Sequence, residues 1–145
     1  MNTSLIIGEQ NSCLTLPDGS SHSINIGTET TGKLLCQIPP NDLQWETAIA
    51  TVEDAIAPFN KLLPTNSMLW LPSNIFFTKL FGNKQIIARE EIEQIFQQVS
   101  RYGFSDSISA ELPIYANLLI MREWMHHMNF NEAHLGTPNN ANFND

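Results

Sequence analysis

A chain of 145 residues, 42% of them hydrophobic, has room for one sizeable core and not for two, so it reads as a single domain over 1–137 with an Asn-rich tail over 138–145. Seven Lys and Arg against fifteen Asp and Glu give a net charge of −8, and beyond Lys84 the only basic residues are Arg89, Arg101 and Arg122. Without a basic footprint, nucleic acid and anionic membrane surfaces are excluded as partners. Cys13 and Cys36 form no CxxC pair, and the short apolar run Leu5-Ile6-Ile7 is no signal-peptide core, so a cytoplasmic protein with free thiols is expected.

Leu5-Ile6-Ile7-Gly8 reads as a short buried strand and Cys13-Leu14-Thr15-Leu16 as a second. Pro17-Asp18-Gly19 is a turn, because Pro presets φ and Gly accepts φ > 0. Ser23-Ile24-Asn25-Ile26 alternates polar and apolar, which suits a half-buried third strand. The opening is thus a three-stranded meander, and the Thr-rich stretch Gly27 to Gly32 reads as a loop.

After Pro39-Pro40, Asn41 is the N-cap of a helix with Gln44 three residues on. Trp45, Ile49, Val52, Ile56, Phe59 and Leu63 share one face of it, and Pro58 should kink or shorten the last turn. Met68-Leu69-Trp70-Leu71 is continuously apolar and reads as a central strand buried on both faces. A short apolar helix follows from Asn74 to Phe81, then one from Glu90 to Tyr102, stopped by Gly103. Ser109 caps a third long helix running to about Met128. Its apolar face is so broad (Leu112, Ala116, Leu119, Ile120, Trp124, Met128, with Leu118, Met121 and Met125 beside it) that it is covered on two sides or pairs with another chain. Ala133-His134-Leu135 makes a last short strand.

The order β-β-β-α-β-α-α-α-β makes a mixed α/β domain. It resembles the ribonuclease-H-like half of the actin, sugar kinase and Hsp70 superfamily. Leu5-Ile6-Ile7-Gly8-Glu9-Gln10-Asn11-Ser12-Cys13-Leu14 is similar, without a gap, to the opening V-D-I-G-G-G-S-T-E-L of the second domain of the exopolyphosphatase and guanosine pentaphosphate phosphatase family, Ppx/GppA. Leu69-Trp70-Leu71-Pro72-Ser73-Asn74 sits where that family has a second loop, usually G-G-T-A. Ile87-Ala88-Arg89-Glu90-Glu91-Ile92 looks like its L-T-R-E-E-L helix start. Ala110-Glu111-Leu112 through Leu118-Leu119-Ile120 resembles its A-D-V-I-L-A-G-A-L-I-L helix, and His134-Leu135-Gly136 its final strand.

The resemblance implies a phosphate cradle that this chain has largely lost. Of the first loop's glycines only Gly8 survives, and Glu9 and Gln10 replace the next two. The family's loop acid falls on Ile6 and its following Glu on Cys13. The second loop's glycines fall on Leu71 and Pro72, leaving Ser73 with a hydroxyl. Pro has no N–H to offer a phosphate, and without the carboxylates there is no evident metal-assisted hydrolysis. No catalytic residue and no cofactor is therefore assigned. The chain reads as a non-catalytic domain that binds a protein partner or a second copy of itself. The alternative is a degenerate phosphatase-like domain still holding a nucleotide, polyphosphate or phosphate through Gly8, Asn11, Ser12 and Ser73.

Other clusters have bland readings. Glu123 and His126 form Glu-x-x-His, a di-iron-bundle spacing, and His134 would add a third ligand. With no second such motif, these are weak metal candidates and no metal is assigned; a histidine at a helix C-terminus is favourable in any case. Ser12, Asp18, Ser21 and His22 lie close in sequence, but in turns and without a nucleophile elbow.

Overall fold

The computed structural model describes residues 1–72, 74–105 and 111–138. Six strands form one mixed sheet: β1 (Asn2–Ile6), β2 (Ser12–Thr15), β3 (Ser21–Ile24), β4 (Met68–Leu71), β5 (Ile86–Ala88) and β6 (Glu132–Leu135), in the order β3-β2-β1-β4-β6-β5. β1, β2 and β3 are the expected antiparallel meander, β4 runs parallel to β1 and β6 parallel to β4, and β5 is an antiparallel edge. The turn between β2 and β3 holds Gly19 at φ 88, with Asp18 accepting from the N–H and hydroxyl of Ser20.

The helices are α1 (Thr28–Leu35), α2 (Asp42–Ile56), α3 (Ile75–Phe81), α4 (Arg89–Tyr102) and α5 (Leu112–His127). Asn41 and Gln44 form the expected capping box, each side chain bonded to the other's backbone N–H. At Pro58 the α-helical pattern gives way to a 3-10 segment, Ala57–Leu62, as a ring without an N–H requires. None of the described helices is long and apolar enough to cross a membrane.

Three expectations need correction. The Gly27–Gly32 stretch contains most of a helix, not a loop. Its residues TETTGKLL are poor helix formers, and packing holds them: Thr28, Thr31, Gly32 and Leu35 are buried, and Gly32 lets α1 approach Leu112 of α5. β5 was not expected as a strand; three residues carry too little periodicity, and pairing with β6 defines it. Third, β4 is buried on one face only. Leu69 and Leu71 are buried, Met68 is exposed and Trp70 half-buried.

That one-sidedness runs through the whole sheet. Thr3, Leu5, Ser12, Leu14, Ile24, Leu69, Leu71, Ile87 and Ala133 point to one face and are buried, in one core with α1–α5. On the other face no strand residue is buried. The molecule is a two-layer sandwich of helices on a sheet. The broad face of α5 is covered from two sides within the chain, by the sheet and by α1, α2 and α4, so Ile114 through Met121 are at most 1% exposed. Self-association through that helix face, one motive offered by the sequence, is removed. Ser109, the expected cap, and the tail beyond Pro138 lie outside the described residues.

Candidate functional site

The first loop, between β1 and β2, is where the resemblance puts a phosphate. A helix start offers free N–H groups, and the start of α1 lies against this loop. Those groups are already taken. Thr28 N–H donates to the Gly8 carbonyl at 2.8 Å and Glu29 N–H to the Glu9 carbonyl at 2.9 Å. The loop's own oxygens thus sit against the helix start. A Cβ on Gly8 would overlap the Asn11 carbonyl oxygen, and one on Gly27 would overlap the Glu9 carbonyl. These glycines serve close approach of chain to chain. The Ser12 hydroxyl, 2% exposed, turns inward and donates to the Ile26 carbonyl at 2.9 Å, while Asn11 is exposed.

In the second loop, Leu71 and Asn74 bond within the chain. Leu71 is buried at the end of β4 and its carbonyl accepts from Gly136 N–H. Asn74 caps α3, its side-chain oxygen accepting from the N–H groups of Phe76 and Phe77 at 2.9 and 3.0 Å. Ser73 lies outside the described residues. Of the turn cluster, Ser20 rather than Ser21 links Asp18 to His22; its hydroxyl is 2.6 Å from Asp18 and 3.4 Å from His22 Nε2. The hydrogen bonds that Asp18 accepts from the Ser20 hydroxyl and backbone N–H hold its carboxyl below its ordinary range. Since the serine proton points at the carboxylate rather than at the imidazole, the order is wrong for a nucleophile with a base.

Among the described residues, nothing covers the sheet face away from the helices. Ile6, Met68 and Ile86 are 53%, 42% and 48% exposed on it. Trp70 stacks on His134 at 4.7 Å and donates its indole N–H to Asn2 at 3.0 Å. Of its strand residues only Glu132 carries a fixed charge.

The three metal candidates are not brought together. His134 lies on the bare face, on the far side of the sheet from α5, and His126 is exposed. Glu123, 2% exposed, instead faces His127, four residues on, and Glu53 of α2. His127 Nε2 is 2.6 Å from Glu53 Oε2 and 3.3 Å from Glu123 Oε1. The other Glu123 oxygen is 2.6 Å from Arg122 Nη1; Arg122 also makes a two-pronged contact with Glu93 and lies 4.3 Å above the Phe96 ring. Burial pushes the Glu123 carboxyl up despite Arg122 and His127, whereas the Arg122 hydrogen bond holds Glu93 down. The i, i+4 spacing of Glu123 and His127 was available in the sequence. Glu53, on another helix, had no local signal.

No protein-family description matches the chain, and no curated protein is similar to it in sequence. Its fold is found in solved structures. The PPX-GPPA enzyme of Aquifex aeolicus superposes with a TM-score of 0.73 at 11% identity, over 92% of this chain and 52% of that one. A type II variant crystal structure of the Aquifex aeolicus Ppx/GppA phosphatase gives 0.74 at 12% identity, over 92% and 52%. An exopolyphosphatase-like protein gives 0.68 at 13%, over 93% and 55%. This chain spans about half the length of the structures it matches and has the ribonuclease-H-like α/β fold of a Ppx/GppA domain.

Proposed function

We propose that this chain is a non-catalytic protein-binding domain built on a phosphatase-like fold, and that the partner at its bare sheet face is a second copy of itself. The observation that carries the reading is the uncovered side of the parallel β1, β4 and β6 core, since parallel strands are nearly always covered on both faces. Exposed Ile6, Met68 and Ile86 with the half-buried Trp70 make an apolar patch of the kind that marks an interface. Two copies can meet here without opposing like charges, because almost all of the net charge of −8 lies elsewhere.

Sedimentation velocity over a range of concentrations tests it. The wild-type chain is expected to run as a dimer and the Ile6→Lys/Ile86→Lys double variant as a monomer. The double variant should keep the wild-type circular dichroism spectrum, and its melting temperature should lose the dependence on protein concentration that a dimer confers. A monomeric wild type sinks the self-partner, and a dimeric double variant moves the contact to another surface.

The non-catalytic half of the reading rests on the occupied donors at the start of α1 and on Ile6 standing where the resembled family has an acid. A thermal-shift screen with phosphate, polyphosphate and ATP, with and without Mg²⁺, is expected to show no stabilisation. A ligand at a hundredfold excess over Kd would add about 2.7 kcal/mol and move the melting temperature by several degrees, which would restore the ligand-binding alternative.

A further inference from the structure

We propose that Glu53, Glu123 and His127 form a binding site for a first-row divalent metal ion of the zinc type, on the helical side of the molecule and independent of the bare sheet. Their donor atoms, one imidazole nitrogen and two carboxylate oxygens, all lie within 4.8 Å of one another. Two come from one turn of α5, where i, i+4 spacing aims side chains at a common point. The third comes from α2, so the set joins two elements that the core already packs together.

The distances suit a small ion. Zinc bonds of roughly 2.0–2.1 Å to nitrogen and oxygen put tetrahedral ligands about 3.3 Å apart. Glu123 Oε1 and His127 Nε2 stand at 3.3 Å. Glu53 Oε2, at 2.6 Å from the same nitrogen, is at hydrogen-bond distance, and its partly exposed side chain can withdraw. In that contact Nε2 carries a hydrogen and donates it to Glu53; for Nε2 to bind a metal ion as a neutral imidazole, that hydrogen moves to Nδ1 in a neutral ring or leaves to solvent from a doubly protonated one.

The surroundings support the donors. Arg122 holds the second oxygen of Glu123, which fixes the carboxylate with Oε1 towards His127, as outer partners orient metal ligands elsewhere. The Asn60 side chain donates to the His127 carbonyl at 2.9 Å and ties down the end of α5. With a neutral imidazole, Glu53, Glu93, Glu123 and Arg122 sum to −2, from three carboxylates and one guanidinium, which one divalent ion cancels. Three protein donors leave a fourth position for water, and the side chains of His127 and Glu53, 35% and 37% exposed, leave it open to solvent. An imidazole with carboxylates suits Zn²⁺, Co²⁺ or Mn²⁺ rather than a thiolate-seeking ion.

The test uses the full chain, stripped with EDTA and with Cys13 and Cys36 alkylated, titrated with ZnCl₂ by calorimetry and with Co²⁺ by visible absorption. One equivalent of Zn²⁺ is expected, with a Co²⁺ d–d spectrum lacking a thiolate charge-transfer band. Glu53→Gln and His127→Gln should each weaken binding about tenfold or more, and His126→Gln should leave it unchanged. Both ligand positions are partly exposed, so the variants should keep the wild-type circular dichroism spectrum. Absence of uptake by the wild type, or an affinity that survives both substitutions, overturns the site and leaves the cluster as a hydrogen-bonded clamp between α2 and α5.

Discussion

Replacing Arg122 with methionine is expected to destabilise the protein by about 2–4 kcal/mol at neutral pH and by much less near pH 4. The Arg122 side chain is 21% exposed, and its guanidinium is shared between Glu93 and the buried Glu123 and lies over the Phe96 ring; methionine keeps an apolar side chain of similar length beside Phe96 while removing the charge. Loss of one partner of a buried pair leaves the other desolvated and uncompensated, which costs more than the pair contributes. The pH dependence follows from two opposed groups. The Glu123 carboxyl is held above its ordinary range by burial first and by Glu53's charge, so its ionised form weighs against the fold as pH rises through the raised value. Glu93 is held below its ordinary range by Arg122, so its contribution is present above the usual carboxylate pKa and is lost as pH falls through the lowered value. Without Arg122 both carboxyls move up, so the variant's deficit grows from acid to neutral pH. Denaturant unfolding at both pH values measures it. Adding Glu123→Gln to the variant should recover part of the loss at neutral pH. A deficit of the same size at both pH values would mean that packing on Phe96, and not charge, explains the effect.

Gly27→Ala should cost about 2–4 kcal/mol, although the residue has an ordinary extended backbone at φ −161. The reason is space. The added Cβ would overlap the Glu9 carbonyl and come within 2.7 Å of the Gln10 nitrogen, and these are backbone atoms that no rotamer change can move aside. Shifting the loop to make room also breaks the bonds from Thr28 and Glu29 N–H to the Gly8 and Glu9 carbonyls. Gly82→Ala provides the contrast. Gly82 has φ 63 and ψ −125 and nothing within 4 Å of a Cβ, so only that positive-φ backbone opposes alanine, at roughly 1–3 kcal/mol. Thermal melts of the two variants should rank them in that order. If Gly27→Ala melts like the wild type, the loop is not locked onto α1, and a phosphate cradle there becomes tenable again.

Much of the fold was legible residue by residue. Short apolar segments and, for the third, alternation placed three opening strands within a few positions of β1, β2 and β3, although each begins earlier than the apolar residues alone suggest. The capping box at Asn41 and Gln44, the break at Pro58 and the stop at Gly103 are local chemistry, and each stands where its residue type requires. The Ppx/GppA likeness was carried by apolar spacing and reached the right fold, because buried positions keep their periodicity when loop residues change.

Tertiary structure decided the rest, and for one reason: a side chain's neighbours along the chain do not say what lies across from it. Thr28 to Leu35 is a helix because α5 and two loop carbonyls receive it, not because its residues favour one. Met68-Leu69-Trp70-Leu71 reads identically whether one face or both are covered, and only the packing of the described helices on the same side shows that Trp70 faces out. Glu123 carries its helical spacing to His127 within the sequence, but the fold supplied Glu53, Arg122's second partner and the burial that turn a helix end into a candidate metal site. Composition and periodicity determined the kind of domain this chain forms; long-range packing determined which of its faces and charges are left for other molecules to meet.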